Sequence, residues 1–522
     1  MFLVELSFTS FFETALTSVL SLLFLLAVSH QLWSLRWHST RDRGCSLPLP
    51  KGSMGWPFFG ETLHWLVQGS NFHSSRREKY GNIFKTHLLG KPVIRVTGAE
   101  NIRRILLGEH SLVSTQWPQS TQIILGSNTL VNSIGDLHRQ KRKILAKVFS
   151  HSALESYIPR IQDAVSAELR GWCRARSHIA VYPSSKALTF RIAAQILLGL
   201  SLGEQRFKEL AKVFEQLVEN LFSLPLDIPF SGLRKGIKAR DTLHQYMEEA
   251  IKQKIQGRDL DLDLQEEDAL DYLINSAREN GKTLSMQELK ETAIELLFAA
   301  FFTTASASSS LILLLMKHPS AIQKIQQELL AHGLQKQCEC VPGGLQGWGS
   351  GCAHQPSLSL DKLKDLHYLD NVVKEVLRLL PPVSGGYRTA LQTFELDGYQ
   401  IPKGWSVMYS IRDTHETSEV YKNADLFDPD RFGPGRNEGK AGRFNYIPFG
   451  GGVRSCIGKE LAQIILKILA IELVSTATWE LATPNFPKMQ TVPIVHPVDG
   501  LRVFFRFLGR QERDTTGSPK KG

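Results

Sequence analysis

The sequence predicts a mainly helical protein with two β-hairpin regions, tethered by one N-terminal transmembrane helix. Three observations carry this reading. Residues 14–35 contain no Asp, Glu, Lys or Arg. After a hairpin pattern at Ile83–Gly98, helical periodicity dominates the chain. A capping-box signature, Ser285-Met-Gln-Glu288, then opens an apolar run that reaches Pro319.

The uncharged run spans 22 residues, enough to cross a bilayer at about 1.5 Å per residue. Glu5 and Glu13 precede it; Arg36, Arg41 and Arg43 follow. That order places residues 1–13 in the lumen and everything after Arg36 in the cytosol. A cleaved leader usually has the basic flank first, the reverse of what stands here. Leu47-Pro-Leu-Pro-Lys-Gly52 closes a proline-containing linker, 36–52. The body is 53–509, with a Gly/Cys-containing insertion at 336–358 and a polar tail at 510–522.

The 522 residues are 42% hydrophobic, enough for a sizeable core, and carry a formal charge of +10, which suits an anionic surface or acidic partner. The six cysteines show no secreted-scaffold spacing, which predicts a reducing compartment. Cys338, Cys340, Cys352 and His354 fall in the insertion; they offer zinc-ligand types, against a flexible surface excursion.

Taking the body in order, Ile83–Gly98 alternates around Gly90-Lys91 as a hairpin. Helical patterns follow at Ala153–Arg174 and Glu204–Asn220. Pro225 and Pro229 break 221–233 into loop or short turns, and Arg258–Asp268 is acidic and exposed. The basic run His138-Arg-Gln-Lys-Arg-Lys lies on a helix ending near Ser150. Spacing puts His138 and Arg142 on one face, and Arg139, Lys143 and Lys147 on a neighbouring one. The helix opened by Ser285 could run to His318, about 50 Å, apolar nearly all round, and so buried. Glu375-x-x-Arg378 sits on a helix ending at Pro381-Pro382. Phe394–Tyr409 is a second hairpin region, with turns at Asp397-Gly398 and Pro402-Lys-Gly404.

The most specific stretch is Phe449–Gly458, a Gly-rich loop presenting Cys456 at a helix N-terminus. Helix dipole and amide donors favour a thiolate there, the form that binds metal or attacks. Gly450–Gly452 admit close backbone approach to something bulky, and Arg454 can neutralise an anion. No Lys-Ser/Thr pair follows the glycines, so it is no phosphate loop. A structural, a nucleophilic and a metal-ligating cysteine all remain open on these residues alone.

The full pattern, Phe449-x-x-Gly452-x-Arg454-x-Cys456-x-Gly458, arises by chance about once in ten thousand such chains. It resembles the haem-binding loop of the cytochrome P450 family, haem-thiolate monooxygenases. The resemblance covers nearly the whole chain after the anchor and implies that family's fold, mainly α with a smaller β-rich lobe. It implies haem b (iron protoporphyrin IX) with Cys456 as axial iron ligand, and His138, Arg142, Arg388, Phe449, Arg454 and Gly458 around it. Ala299-Ala-Phe-Phe-Thr-Thr304 resembles the centre of the family's long helix, with Thr303, assisted by Thr304, in proton delivery. Ala300 and Phe302 depart from the pattern, replacing a glycine and an acid. Glu375, Arg378 and Arg431 resemble the family's structural Glu-Arg-Arg triad.

Further segments are similar to the animal retinoic acid hydroxylases: Leu47–Pro57, Leu221–Pro225, Pro382–Arg388 and Met489–Pro497. The Ala-Ala-Phe-Phe centre and the cysteine-bearing insertion resemble their C-type branch. This implies hydroxylation of retinoic acid, chiefly at ring carbon 4, using O2 and electrons from NADPH through the separate cytochrome P450 reductase. The chain has no strand–GxGxxG–helix fingerprint of its own for NADPH. Arg139, Lys143 and Lys147 would receive the reductase. Trp117, Phe222, Phe301, Phe302 and Val383 would line the substrate pocket, and Arg95 would meet the acid. The implied location is the endoplasmic reticulum membrane, single-pass, with no nucleic-acid partner. Alternatives are a haem-thiolate enzyme for another lipid or steroid, a reductase-independent isomerase, and a non-catalytic retinoid carrier.

Overall fold

The computed structural model describes residues 2–69, 71–200, 203–259, 268–334, 356–491 and 493–508. The insertion up to residue 355, most of the acidic stretch 258–268 and the polar tail lie outside these. The chain divides into two compact units: Met1–Gln116 with Gly385–Asp413, and Trp117–Ser384 with Thr414–Gly522.

The first unit begins with one helix, Phe2–Ser39. Its segment Glu13–Ser39 is long and apolar enough to span a membrane and has no residue buried in its most apolar window. The helix outruns the predicted anchor because Trp33 and Trp37 dock its last turns. Trp33 Nε1 donates to Met54 O at 3.2 Å, and Trp37 packs edge-on against Trp405. The predicted linker is likewise tied down. Gln400 accepts from Asp42 N at 2.8 Å, and donates from its side chain to Cys45 O and from its backbone to Pro48 O.

The predicted hairpin is Ile83–Leu88 with Lys91–Val96, in register Leu88 to Lys91. Leu89 and Gly90 turn it, both at positive φ (51° and 78°), as a two-residue turn of this hand requires. These strands edge a five-stranded sheet, in order Ile83–Leu88, Lys91–Val96, Ser406–Ser410, Gly385–Ala390, Val113–Thr115. The second hairpin is shorter than expected: only Phe394–Leu396 pairs with Tyr399–Ile401. Pro402 has no amide to extend that ladder, and Gly404 (φ 83°) redirects the chain. Ser406–Ser410 thus joins the larger sheet, parallel to Lys91–Val96 and antiparallel to Gly385–Ala390.

The second unit is helical. The central helix is Met286–Lys317, opened by the predicted capping box, in which Ser285 and Glu288 each accept from the other's backbone amide. It stops at His318, forced from helical geometry (φ −130°, ψ 73°) by Pro319. It packs against helices Val181–Ile192 and Lys459–Thr476, the latter also against His151–Arg174. Leu297, Ile312, Leu315, Ile468 and Leu469 are buried in their shared core. The predicted helix at Glu204 ends at Glu219, and the next, Gly232–Asp259, starts only after the two prolines. The basic helix is Gly135–Leu145, continued by a 3-10 turn to Phe149. A three-stranded sheet, Ile179–Ala180, Arg502–Phe507 and Ala477–Leu481, completes the unit.

Candidate active site

The cysteine loop is built by its own backbone. Gly450 N donates to Ile447 O and Cys456 N to Phe449 O, each at 2.9 Å. Gly450 and Gly452 lie at φ 68° and 66°, where a side chain would be strained. A Cβ built on Gly450 meets no atom within 4 Å, so the loop has an open side. Cys456 reaches solvent on that side, with chain packed behind it. Burial pushes its pKa up, and the Gly458 amide, Arg142 and Lys459 offset only part of that. With no base among the groups acting on it, the thiol is poorly placed as a nucleophile and suits a metal ligand.

Behind the loop stands a buried framework. Arg378 holds Glu375 with Nε–Oε2 at 2.7 Å and Nη2–Oε1 at 2.9 Å; Arg431 Nε reaches Oε1 at 2.9 Å. All three side chains are at most 1% exposed. Arg378 Nη1 also donates to Ala424 O, and Arg431 Nη1 to Glu438 at 2.7 Å. The triad is thus a clamp on the segment before the cysteine loop.

Sequence reasoning missed its connector, His415. Its Nδ1 lies 3.1 Å from Arg378 O, and its Nε2 accepts from Ile447 N at 2.9 Å. This fixes a neutral ring with its proton on Nδ1. Burial lowers its pKa to about 3. Because that lies below the unfolded value of about 6.5, the stabilisation is complete above pH 6.5 and is lost as pH falls toward 3. Between pH 6.5 and 5 it should cost about 2 kcal/mol of stability. Urea unfolding at the two pH values, with His415→Asn showing a shallower dependence, checks this.

The basic helix turns one face inward. His138 is buried, and Arg142 Nη2 donates to Ser455 O at 2.7 Å, beside Cys456. From the loop, Arg454 Nη2 donates to Ser133 O at 2.6 Å. Gly458 caps the following helix, with Phe149 3.7 Å from where a Cβ would stand. Phe449 packs at the edge of the core. The neighbouring face leaves Arg139, Lys143 and Lys147 exposed; Arg139 pairs with Asp136 at 2.6 Å and Lys147 with Glu279 at 3.6 Å.

Within the mostly buried central helix, Ala299 is exposed and Phe302 and Thr303 are half-buried, so this turn faces open space. Thr303 Oγ1 donates to Ala299 O at 2.7 Å; Thr304 is buried. Phe301 is core, edge-on to Phe214 at 5.3 Å and Phe190 at 6.0 Å. Phe302 lies 5.9 Å from Lys186 Nζ, which pairs with Glu215. Two buried glutamates on this helix, Glu291 and Glu295, also went unread, though a charge inside an apolar stripe is itself a signal. Burial pushes Glu295 up to about 7, against the pull of the Leu130 and Val131 amides.

Other predicted residues are more dispersed. Trp117 is half-buried, Val383 is 37% exposed, and Phe222 stands among exposed Leu224, Leu226, Ile228 and Phe230. Two belong to the first unit. Arg388 pairs with Glu109 at 2.7 Å. Arg95 is buried rather than on the surface; it pairs with Asp413 at 2.7 Å, and its Nε and Nη1 have no hydrogen-bond partner among the described residues. Burial opposes the Asp413 charge, and Arg95 overcomes it, holding that carboxyl at about 2. The insertion cysteines and His354 lie outside the described residues. Among those described, no group of three His, Cys, Asp or Glu could hold a metal ion.

One thiol on an open glycine loop with two arginines beside it suits a bulky anionic group better than a bare ion, for which no set of three ligands stands among the described residues. The comparisons agree. The cytochrome P450 family model matches residues 50–501. Cytochrome P450 26C1 of Homo sapiens is 65% identical over 514 residues, covering 97% of this chain and 98% of that protein. Cytochrome P450 26B1 of Bos taurus is 57% identical over 503 residues, covering 96% and 95%. A solved structure, retinoic acid bound cyanobacterial CYP120A1, is similar with TM-score 0.77 and 35% identity, covering 89% of this chain and all of that one.

Proposed function

The chain belongs to the cytochrome P450 family, and from that premise we propose that it hydroxylates retinoic acid, chiefly at ring carbon 4. The observation that carries the substrate is the likeness, over nearly the full chain, to a structure holding retinoic acid. Haem b bound at Cys456 would supply activation of O2 and insertion of one oxygen atom into a C–H bond.

The chain's own residues do the rest. Cys456 would hold the iron as thiolate. Arg142, which reaches the loop at Ser455 O, and Arg454, on the loop itself, would meet the negative propionates. Thr303 Oγ1 is the hydroxyl on the open turn that can pass a proton, by swinging from Ala299 O toward that space. Phe302 cannot carry one, so the proton reaches Thr303 from water. Phe302 and Ala299 give that turn an apolar wall suited to a polyene. Electrons come from NADPH through cytochrome P450 reductase, docked on Arg139, Lys143 and Lys147. In this reading the body lies on the cytosolic side of the endoplasmic reticulum membrane, an orientation that Arg36, Arg41 and Arg43 after the apolar segment support.

Reconstitution with reductase, NADPH and retinoic acid tests the reading. A ring-hydroxylated product formed only with NADPH is expected. Turnover without NADPH would instead make the protein an isomerase, which Phe302 in place of an acid permits. Binding without product would make it a carrier.

A further inference from the structure

We propose that Glu291 and Glu295 are positioning residues that clamp the segment Gly126–Ser133 onto the central helix and, through it, hold Arg454 of the cysteine loop. Asn128 N donates to Glu291 Oε2 at 2.7 Å. Leu130 N donates to Glu295 Oε2 at 2.7 Å and Val131 N to Oε1 at 2.8 Å. Three amides of one irregular turn thus converge on two carboxylates. Such an amide concavity is an anion site, here filled by the chain's own side chains. Both glutamates are buried on the central helix, and a buried carboxylate is costly unless fully hydrogen-bonded.

The approach is built in from the other side as well. Gly126 sits at φ 94°, and a Cβ there would fall 2.2 Å from the Glu291 carboxyl carbon. Gln287 Nε2 steadies Glu291 Oε1 at 2.6 Å. Inside the segment, Asn132 Nδ2 donates to Gly126 O and Ser133 Oγ to Thr129 O, each at 2.6 Å. Lys141 donates to Asn128 O, and Ser133 O receives Arg454. Hydrogen bonds therefore run from the central helix, through the segment, to a residue two before Cys456. Glu295, Ala299 and Thr303 share one helix face at four-residue spacing, so the clamp sits one turn from the open turn.

The functional consequence rests on the retinoic acid reading; the clamp itself does not. The test is peptide-level hydrogen exchange on the full-length haem-bound protein, wild type against the Glu291→Gln/Glu295→Gln double variant. Wild-type peptides covering 126–133 should be protected although they form no helix or strand. In the variant they should exchange at least about tenfold faster, while peptides covering His367–Leu379 stay unchanged. Retinoic acid binding, read by its absorbance shift, should weaken about tenfold with the thiolate-type band of the reduced carbon monoxide adduct intact. Equal protection in both proteins, or loosening spread across the whole unit, overturns the clamp. If the variant does not fold, the wild type decides, because unprotected 126–133 peptides overturn it alone. Absence of a shift with wild type would count against the substrate reading, and exchange would still decide the clamp.

Discussion

Replacing Glu375 by glutamine is expected to destabilise the second unit by about 3–5 kcal/mol, the cost of breaking a buried ion pair from one side. The substitution removes a charge and little volume. It leaves Arg378 without any carboxylate, since its other partners are the carbonyls of Ala424 and Leu426. Arg431 keeps Glu438 at 2.7 Å, so the loss falls mainly on Arg378. The effect should then reach the cysteine loop, because Arg378 O is the partner of His415 and His415 holds Ile447 N. The measurement is the urea midpoint together with haem retained through gel filtration: both should fall. Glu438→Gln serves as comparison and should cost less, since Arg431 there keeps Glu375. A Glu375→Gln protein that unfolds like wild type and keeps its haem would remove the triad from the role of scaffold.

How far these arrangements could be read in advance depended on whether local residues decide them. The central helix was legible because Ser285 and Glu288 close a box between neighbours and Pro319 ends the helix by a local clash. The first hairpin was legible because Gly90 permits the turn that the flanking alternation demands. The partnership of Glu375 with Arg431 was reached through a resemblance, and the coordinates supply its contacts. What stayed hidden needed distant chain. Ser406–Ser410 sits beside Lys91–Val96, a parallel partner that no turn pattern announces. Glu291 and Glu295 meet amides about 165 positions earlier, so their spacing could show only two acids one turn apart on the central helix. The burial that pushes the Cys456 thiol up was hidden too, because it comes from chain packed around the loop.

Cys456→Ala is the other substitution with a large expected effect, and the same thiol chemistry says where that effect should fall. The loop does not depend on the sulfur for its shape: Cys456 N to Phe449 O and Gly450 N to Ile447 O are backbone bonds that alanine keeps. With burial holding the free thiol neutral, its removal also takes no charge out of the metal-free protein. Stability of haem-free protein should therefore change by no more than about 0.5 kcal/mol. Haem binding and turnover should collapse. The reduced carbon monoxide adduct should lose its thiolate-type band, and NADPH-dependent hydroxylation should fall at least about a thousandfold, the upper range for removing one group at a reacting centre. Cys456→His separates ligation from chemistry, because imidazole can still bind iron but cannot push electron density as thiolate does. It should retain haem, show an imidazole-type spectrum and remain inactive. A Cys456→Ala protein with a normal thiolate band would mean that another residue carries the iron, and the open loop between Phe449 and Gly458 would need a different occupant.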